Sequence, residues 1–176
     1  MFPIITEVMD NPEAAKIKAL AGAHIIGGGC CASVWETERG TVLRVGSLKG
    51  NLGYLHFITE LAKEHHNPHM PKIYSTQILE PSGHCADGCE GYLIVEMELL
   101  TEWHHTSYAK YKELYHKISR SLEHNNAPAK ATKDLRKALH TIKKAKRRSG
   151  HSIDLAPFNT MVRGDGTLVI TDPIWA

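Results

Sequence analysis

Long apolar runs are missing from these 176 residues: no stretch approaches the roughly 18 consecutive apolar side chains that carry a helix across a bilayer. Met1 to Asp10 lacks the basic start and apolar stretch of a secretion signal, so a soluble intracellular protein of the cytoplasm is expected. Charge of one sign is missing too. The 21 Lys and Arg against 19 Asp and Glu leave a formal net charge of +2, so bulk electrostatics announce no nucleic-acid partner. Cysteine is scarce, and Cys30, Cys31, Cys85 and Cys89 show no C-x-x-C spacing, so reduced thiols are expected rather than a disulfide framework or a structural zinc. Internal repeats and low-complexity segments are absent. What these absences leave is one domain with a real core, or two small lobes sharing a cleft.

The richest stretch runs from His151 to Ala176. TMV and TLVIT are β-branched, apolar runs around the turn signal Gly164-Asp165-Gly166, so a hairpin should bring Asn159 near Asp172. Asp154 precedes Asn159 by five residues. Singly, Asp and Asn are ordinary turn residues. Together, two carboxylates and an amide match the needs of phosphoryl transfer, in which oxygen ligands hold divalent ions and a carboxylate orients the attacking hydroxyl.

The rest of the chain is consistent with that chemistry. Asn11-Pro12-Glu13 reads as the start of a leading helix that stops at Gly22. HIIGGGCCASVW follows, in which Gly27, Gly29 and Ala32 form a loop whose backbone N–H groups can approach phosphates, with Val34 beyond them. TVLRVG is a strand carrying Arg44. Asn51 to His66 is a helix with the apolar stripe Leu52, Leu55, Ile58 and Leu61, and Glu60 on it is placed to pair with Arg44. KIYSTQILE and YLIVEMELL are further strands. Ser107 to Glu123 and Ala131 to Arg148 are helices; the second buries Leu135, Leu139, Ile142 and Ala145 and ends in Lys143, Lys144, Lys146, Arg147 and Arg148. That cationic end suits the helix dipole, or a docking patch for an acidic partner or RNA.

In this order, the Gly-rich loop, VLRVG, the Glu60 helix, and DLAPFN to ITDP resemble the protein-kinase fold, most closely the early serine/threonine protein kinases of podophages. The resemblance runs from about Ile25 to Ile174. It implies an α+β, minimal two-lobed kinase-like fold. Residues 1–98 would form an antiparallel N-terminal lobe with the Glu60 helix, and residues 99–176 a truncated helical C-terminal lobe. It also implies use of ATP and Mg2+ on host proteins, transcription and RNA-processing machinery among them. By matching position, Asp154 would be the base, Asn159 and Asp172 the metal ligands, and Gly27, Gly29, Ala32, Val34, Val95 and Glu96 the nucleotide contacts. The resemblance would make the end of YLIVEMELL a hinge, with Val95 at the back of the nucleotide pocket and Glu96 at its edge. Arg44, stabilised by Glu60, would replace the phosphate-binding lysine.

Ser152-Ile153-Asp154 stands where such kinases have His-Arg-Asp, and Asp172-Pro173-Ile174 where they have Asp-Phe-Gly. Choline kinases resemble this arrangement as well, but only Trp103 and Trp175 offer themselves for an ammonium cage. The competing expectation is a non-catalytic kinase-like protein that binds and inhibits a host factor through the basic helix end.

Overall fold

The structure is a computed structural model and describes residues 22–28, 31–64, 66–80, 91–103, 108–124 and 131–175. The helix expected after Asn11, together with Gly29, Cys30, His84, Cys85 and Cys89, lies outside the described residues. The chain is α+β and divides into two units. The first comprises Met1–Leu52 and Lys72–Leu99, the second Gly53–Pro71 and Leu100–Ala176.

β-branched and aromatic runs bounded by turns make the first unit a sheet. Its strands are β1 (His24–Gly28), β2 (Ala32–Glu36), β3 (Thr41–Ser47), β4 (Ile73–Leu79) and β5 (Tyr92–Glu98), in the order β1-β2-β3-β5-β4 with every pair antiparallel. Gly40, at φ 70°, supplies the left-handed residue of the β2–β3 turn, where its N–H donates to the Thr37 carbonyl. β3, at the middle of the sheet, and β5 beside it read as nearly continuous apolar runs because both of their faces are buried: Leu43, Leu93 and Val95 have no exposed surface. β1 and β4 are the sheet edges, and they leave Ile25, Ile26, Tyr74 and Ile78 exposed.

The second unit holds helices α1 (Leu52–Leu61), which begins at the unit boundary, α2 (Tyr108–Glu123) and α3 (Lys133–Ser149). It also has the short pairs β6 (Ser152–Ile153) with β9 (Ile174–Trp175), and β7 (Thr160–Val162) with β8 (Leu168–Ile170). α3 is delimited by its own sequence. The Thr132 hydroxyl accepts from the Leu135 N–H at 3.1 Å, and Gly150 ends the helix at φ 74°, donating to the Lys146 carbonyl. Its stripe of Leu135, Leu139, Ile142 and Ala145 is buried, as its 3.6-residue period expects.

α1 departs from expectation in two ways. Its stripe is rotated: Tyr54, Phe57, Ile58 and Leu61 are buried, while Leu52 is 37% exposed. The buried set has the i, i+3, i+4, i+7 spacing of one helix face and carries two aromatic rings, a larger apolar surface than the alternative stripe. The helix also groups with the second unit rather than with residues 1–98. Glu60 is tied to α3, and Gly53 lies so close to Ile174 that an added Cβ would sit 2.7 Å from its Cγ2. The loop after α1 is tied down as well. Asn67 Nδ2 donates to the Asp134 carbonyl at 2.9 Å, and Arg163 donates to the carbonyls of Pro68 and Met70.

Candidate functional site

Residues 154–172 of the second unit are folded so that three polar residues meet. β6 and β9 pair Ile153 with Ile174, and the Asp154 N–H donates to the Pro173 carbonyl at 2.9 Å. A one-turn helix, Pro157–Asn159, then leads into β7, and the β7–β8 hairpin turns at Arg163 to Thr167 with Gly166 at φ 85°. The chain returns beside its starting point: the Asn159 carbonyl accepts from the Thr171 N–H at 2.9 Å and from the Asp172 N–H at 3.4 Å.

The side chains are positioned from the same frame. Asn159 Nδ2 donates to the Asp154 carbonyl at 3.2 Å, which leaves Oδ1 as the acceptor of that amide. Asn159 is 9% exposed, and among the described residues no donor reaches Oδ1. A buried carbonyl oxygen without a donor costs free energy unless something else satisfies it. Asp154 is half-buried, and its Oδ1 accepts from the Ala156 N–H at 3.1 Å, an Asx turn that fixes the carboxylate's rotation. Its other oxygen has no hydrogen-bond donor among the described residues.

Two aromatic side chains that the sequence reading did not assign to this segment support it from behind. Trp103, 1% exposed, donates from Nε1 to the carbonyl and hydroxyl of Thr160 at 3.0 and 2.9 Å, and the hydroxyl of Tyr115 donates to the Leu155 carbonyl. The two rings pack in a tilted arrangement with centroids 5.4 Å apart and planes at 49°. Trp103 is therefore committed to packing and is no wall of an ammonium cage. The one signal in the sequence was the aromatic spacing Trp103, Tyr111, Tyr115 ahead of a Leu-Ala-Pro-Phe loop. Phe158, on the one-turn helix, is 60% exposed.

The fit to a metal ion follows from the donor set. Asn159 Oδ1 and the Asp172 carboxylate are hard oxygen donors, which suit Mg2+. Among the described residues no group of three or more His, Cys, Asp or Glu could hold a metal.

In the first unit, the β ladder places Gly27, Val34, Arg44 and Val95 in one cross-strand row: Gly27 opposite Val34, Val34 opposite Arg44, Arg44 opposite Val95. Directly paired residues share a sheet face. Ala32, two residues before Val34 on β2, shares that face by alternation and is buried. Arg44, also buried, donates from Nη1 to Asn51 Oδ1 at 2.5 Å, while Asn51 Nδ2 donates to the carbonyls of Cys31 at 2.8 Å and Ser47 at 2.7 Å. Asn51 was not singled out from the sequence, where it reads only as a helix start. Gly46 is required beside it, since a Cβ there would sit 2.4 Å from Asn51 Nδ2.

Two expected roles need correction. Glu96 lies one residue from Val95, so its side chain is on the opposite face, where Oε1 accepts from Arg39 Nη2 and the Thr41 hydroxyl, both at 2.8 Å. β5 is flanked by β3 and β4 at this position, so Glu96 belongs to the ladder and not to a hinge edge. Glu60, expected to stabilise Arg44, has both carboxylate oxygens taken within its own unit. Oε1 meets Lys63 Nζ at 2.6 Å and Arg148 Nη1, and Oε2 meets Lys144 Nζ at 2.7 Å. Hydrogen bonds from Lys144 and Lys63, with the Arg148 charge, hold its pKa down to about 2 against the opposing effect of burial. The same contacts draw Lys144 and Arg148 out of the basic helix end, and burial pushes the Lys143 ammonium down.

No protein-family model matches the chain, and no curated protein matches it.

Proposed function

We propose that this protein is a phosphotransferase of a minimal two-lobed, kinase-like kind, a serine/threonine protein kinase that moves the γ-phosphate of ATP to a host protein or to itself in the cytoplasm. The observation that carries this reading is the convergence of Asp154, Asn159 and Asp172 through backbone hydrogen bonds, with Asn159 Oδ1 left as a buried acceptor. A turn that served only to join strands has no need of that orphaned oxygen.

In this reading Asn159 Oδ1 and the Asp172 carboxylate hold Mg2+, which supplies positive charge to the phosphate oxygens. The free oxygen of Asp154 accepts the proton of the attacking hydroxyl as its oxygen bonds to the γ-phosphorus, and the bond to the β-phosphate oxygen breaks to release ADP. The Ala156 N–H keeps the carboxylate in the rotation this requires. Gly27, Gly29, Ala32, Val34 and Val95 are assigned to the nucleotide and Arg44 to its phosphates, its guanidinium oriented by Asn51. Glu60 is assigned to holding α1 on α3 rather than to the reaction.

Incubation of the purified protein with γ-labelled ATP and Mg2+, alone and with host lysate, tests this directly. Labelled protein should appear with the wild type and not with Asp154→Ala; transfer by the variant at the wild-type rate would remove Asp154 from the reaction.

A further inference from the structure

α3 carries basic residues along one side at Lys133, Arg136, Lys137, His140, Lys144, Arg147 and Arg148, at helical spacings of three and four residues. Its two halves are used differently. Lys144 and Arg148 are ion-paired to the buried Glu60, whereas Lys133, Arg136, Lys137 and His140 line an open cavity of about 420 Å³ whose remaining lining residue, among the described ones, is Glu64. All four are exposed, and among the described lining residues three permanent cations share one acid. Arg136 is already ordered: Nε and Nη2 donate to the Ala131 carbonyl at 3.0 and 2.9 Å, so its guanidinium is fixed before anything binds. Pre-ordering of a long side chain lowers the entropy cost of association.

We infer that this groove on the N-terminal half of α3 is a docking site for a short acidic segment of a partner protein. Charge complementarity fixes the sign of the occupant, and dimensions fix its class. From Lys133 to His140 the helix rises about 10 Å, a span that about three extended peptide residues cover. A nucleic-acid strand tracks a longer run of uncommitted cations, and on this side of the helix Lys144 and Arg148 are already held by Glu60. Among the described residues no Phe, Tyr or Trp lines the cavity to offer a base a stacking platform. The site is separate from residues 154–172 and stands whether or not the protein transfers phosphate.

The test is fluorescence anisotropy of the full-length protein with a labelled octapeptide of alternating Glu and Ser, a Lys-Ser counterpart, and a single-stranded RNA octamer. The acidic peptide should bind, and Lys133→Glu with Lys137→Glu should weaken it about tenfold or more, while Lys146→Glu with Arg147→Glu, exposed and outside the groove, changes it little. Circular dichroism shows that both double variants are folded. Equal losses in the two variants would mean unspecific attraction to a basic helix and overturn the site. Tighter binding of RNA than of the acidic peptide, or no binding of that peptide, would overturn it as well.

Discussion

The second unit contains two carboxylate clusters of opposite construction. Glu60 is 2% exposed and satisfied on both oxygens by three cations; Asp154 is half-buried, carries one backbone donor, and keeps an oxygen free among the described residues. A carboxylate whose ionised form is held this firmly is a poor proton acceptor, whereas one that is oriented but not saturated can take a proton. The acid expected to assist the chemistry from a helix is saturated by cations of its own unit, and the acid in the loop is the one to which the proposed reaction assigns the proton.

The comparison breaks most sharply at Asp154. Asp154→Asn keeps the acceptor for the Ala156 N–H and removes the base, so phosphate transfer should fall by about 10²-fold or more with the thermal midpoint almost unchanged. Glu60→Gln should do the reverse. It leaves Lys63, Lys144 and Arg148 facing one another without an anion, costing on the order of 2 kcal/mol in thermal or urea unfolding while transfer per folded molecule is retained. A large loss of transfer in folded Glu60→Gln would mean that the two clusters are one.

Acid titration sharpens the contrast. Because folding lowers the Glu60 pKa from 4.5 to about 2, its stabilising contribution is complete above about pH 5 and is lost as pH falls from there toward 2. Urea midpoints measured across that window should fall for the wild type, and fall less for Glu60→Gln. Smaller effects follow further out. Trp103→Phe leaves the Thr160 carbonyl and hydroxyl without their indole donor, at a cost of about 1 kcal/mol, with transfer falling only a few-fold because Thr160 adjoins Asn159. Lys63→Ala, which removes a half-exposed cation three residues after Glu60 in the turn that follows α1, should cost about 0.5 kcal/mol or less.

What was readable in advance depended on range. The β7–β8 hairpin was legible because Thr160-Met161-Val162 and the Leu168 run flank a glycine turn, and hairpin register is a local matter. The α3 stripe was legible for the same reason. The β6–β9 pair was not: two-residue strands carry no periodicity, and their partner lies some twenty residues away. Nor was the fate of Glu60, whose partners Lys144 and Arg148 are more than eighty residues distant in a run of cations that looked like an ordinary helix cap. Asn51 was missed because one amide before a helix has no pattern, although it binds Arg44 and the Cys31 carbonyl at once.

The central claim concerns the oxygen donors of Asn159 and Asp172, and calorimetric titration with ATP in the presence and absence of Mg2+ tests it most directly. ATP should bind the wild type in a Mg2+-dependent way, Asn159→Ala and Asp172→Asn should abolish that dependence, and Asp154→Asn should retain it. ATP binding that ignores Mg2+, or Mg2+-dependent binding that survives both Asn159→Ala and Asp172→Asn, would contradict the account.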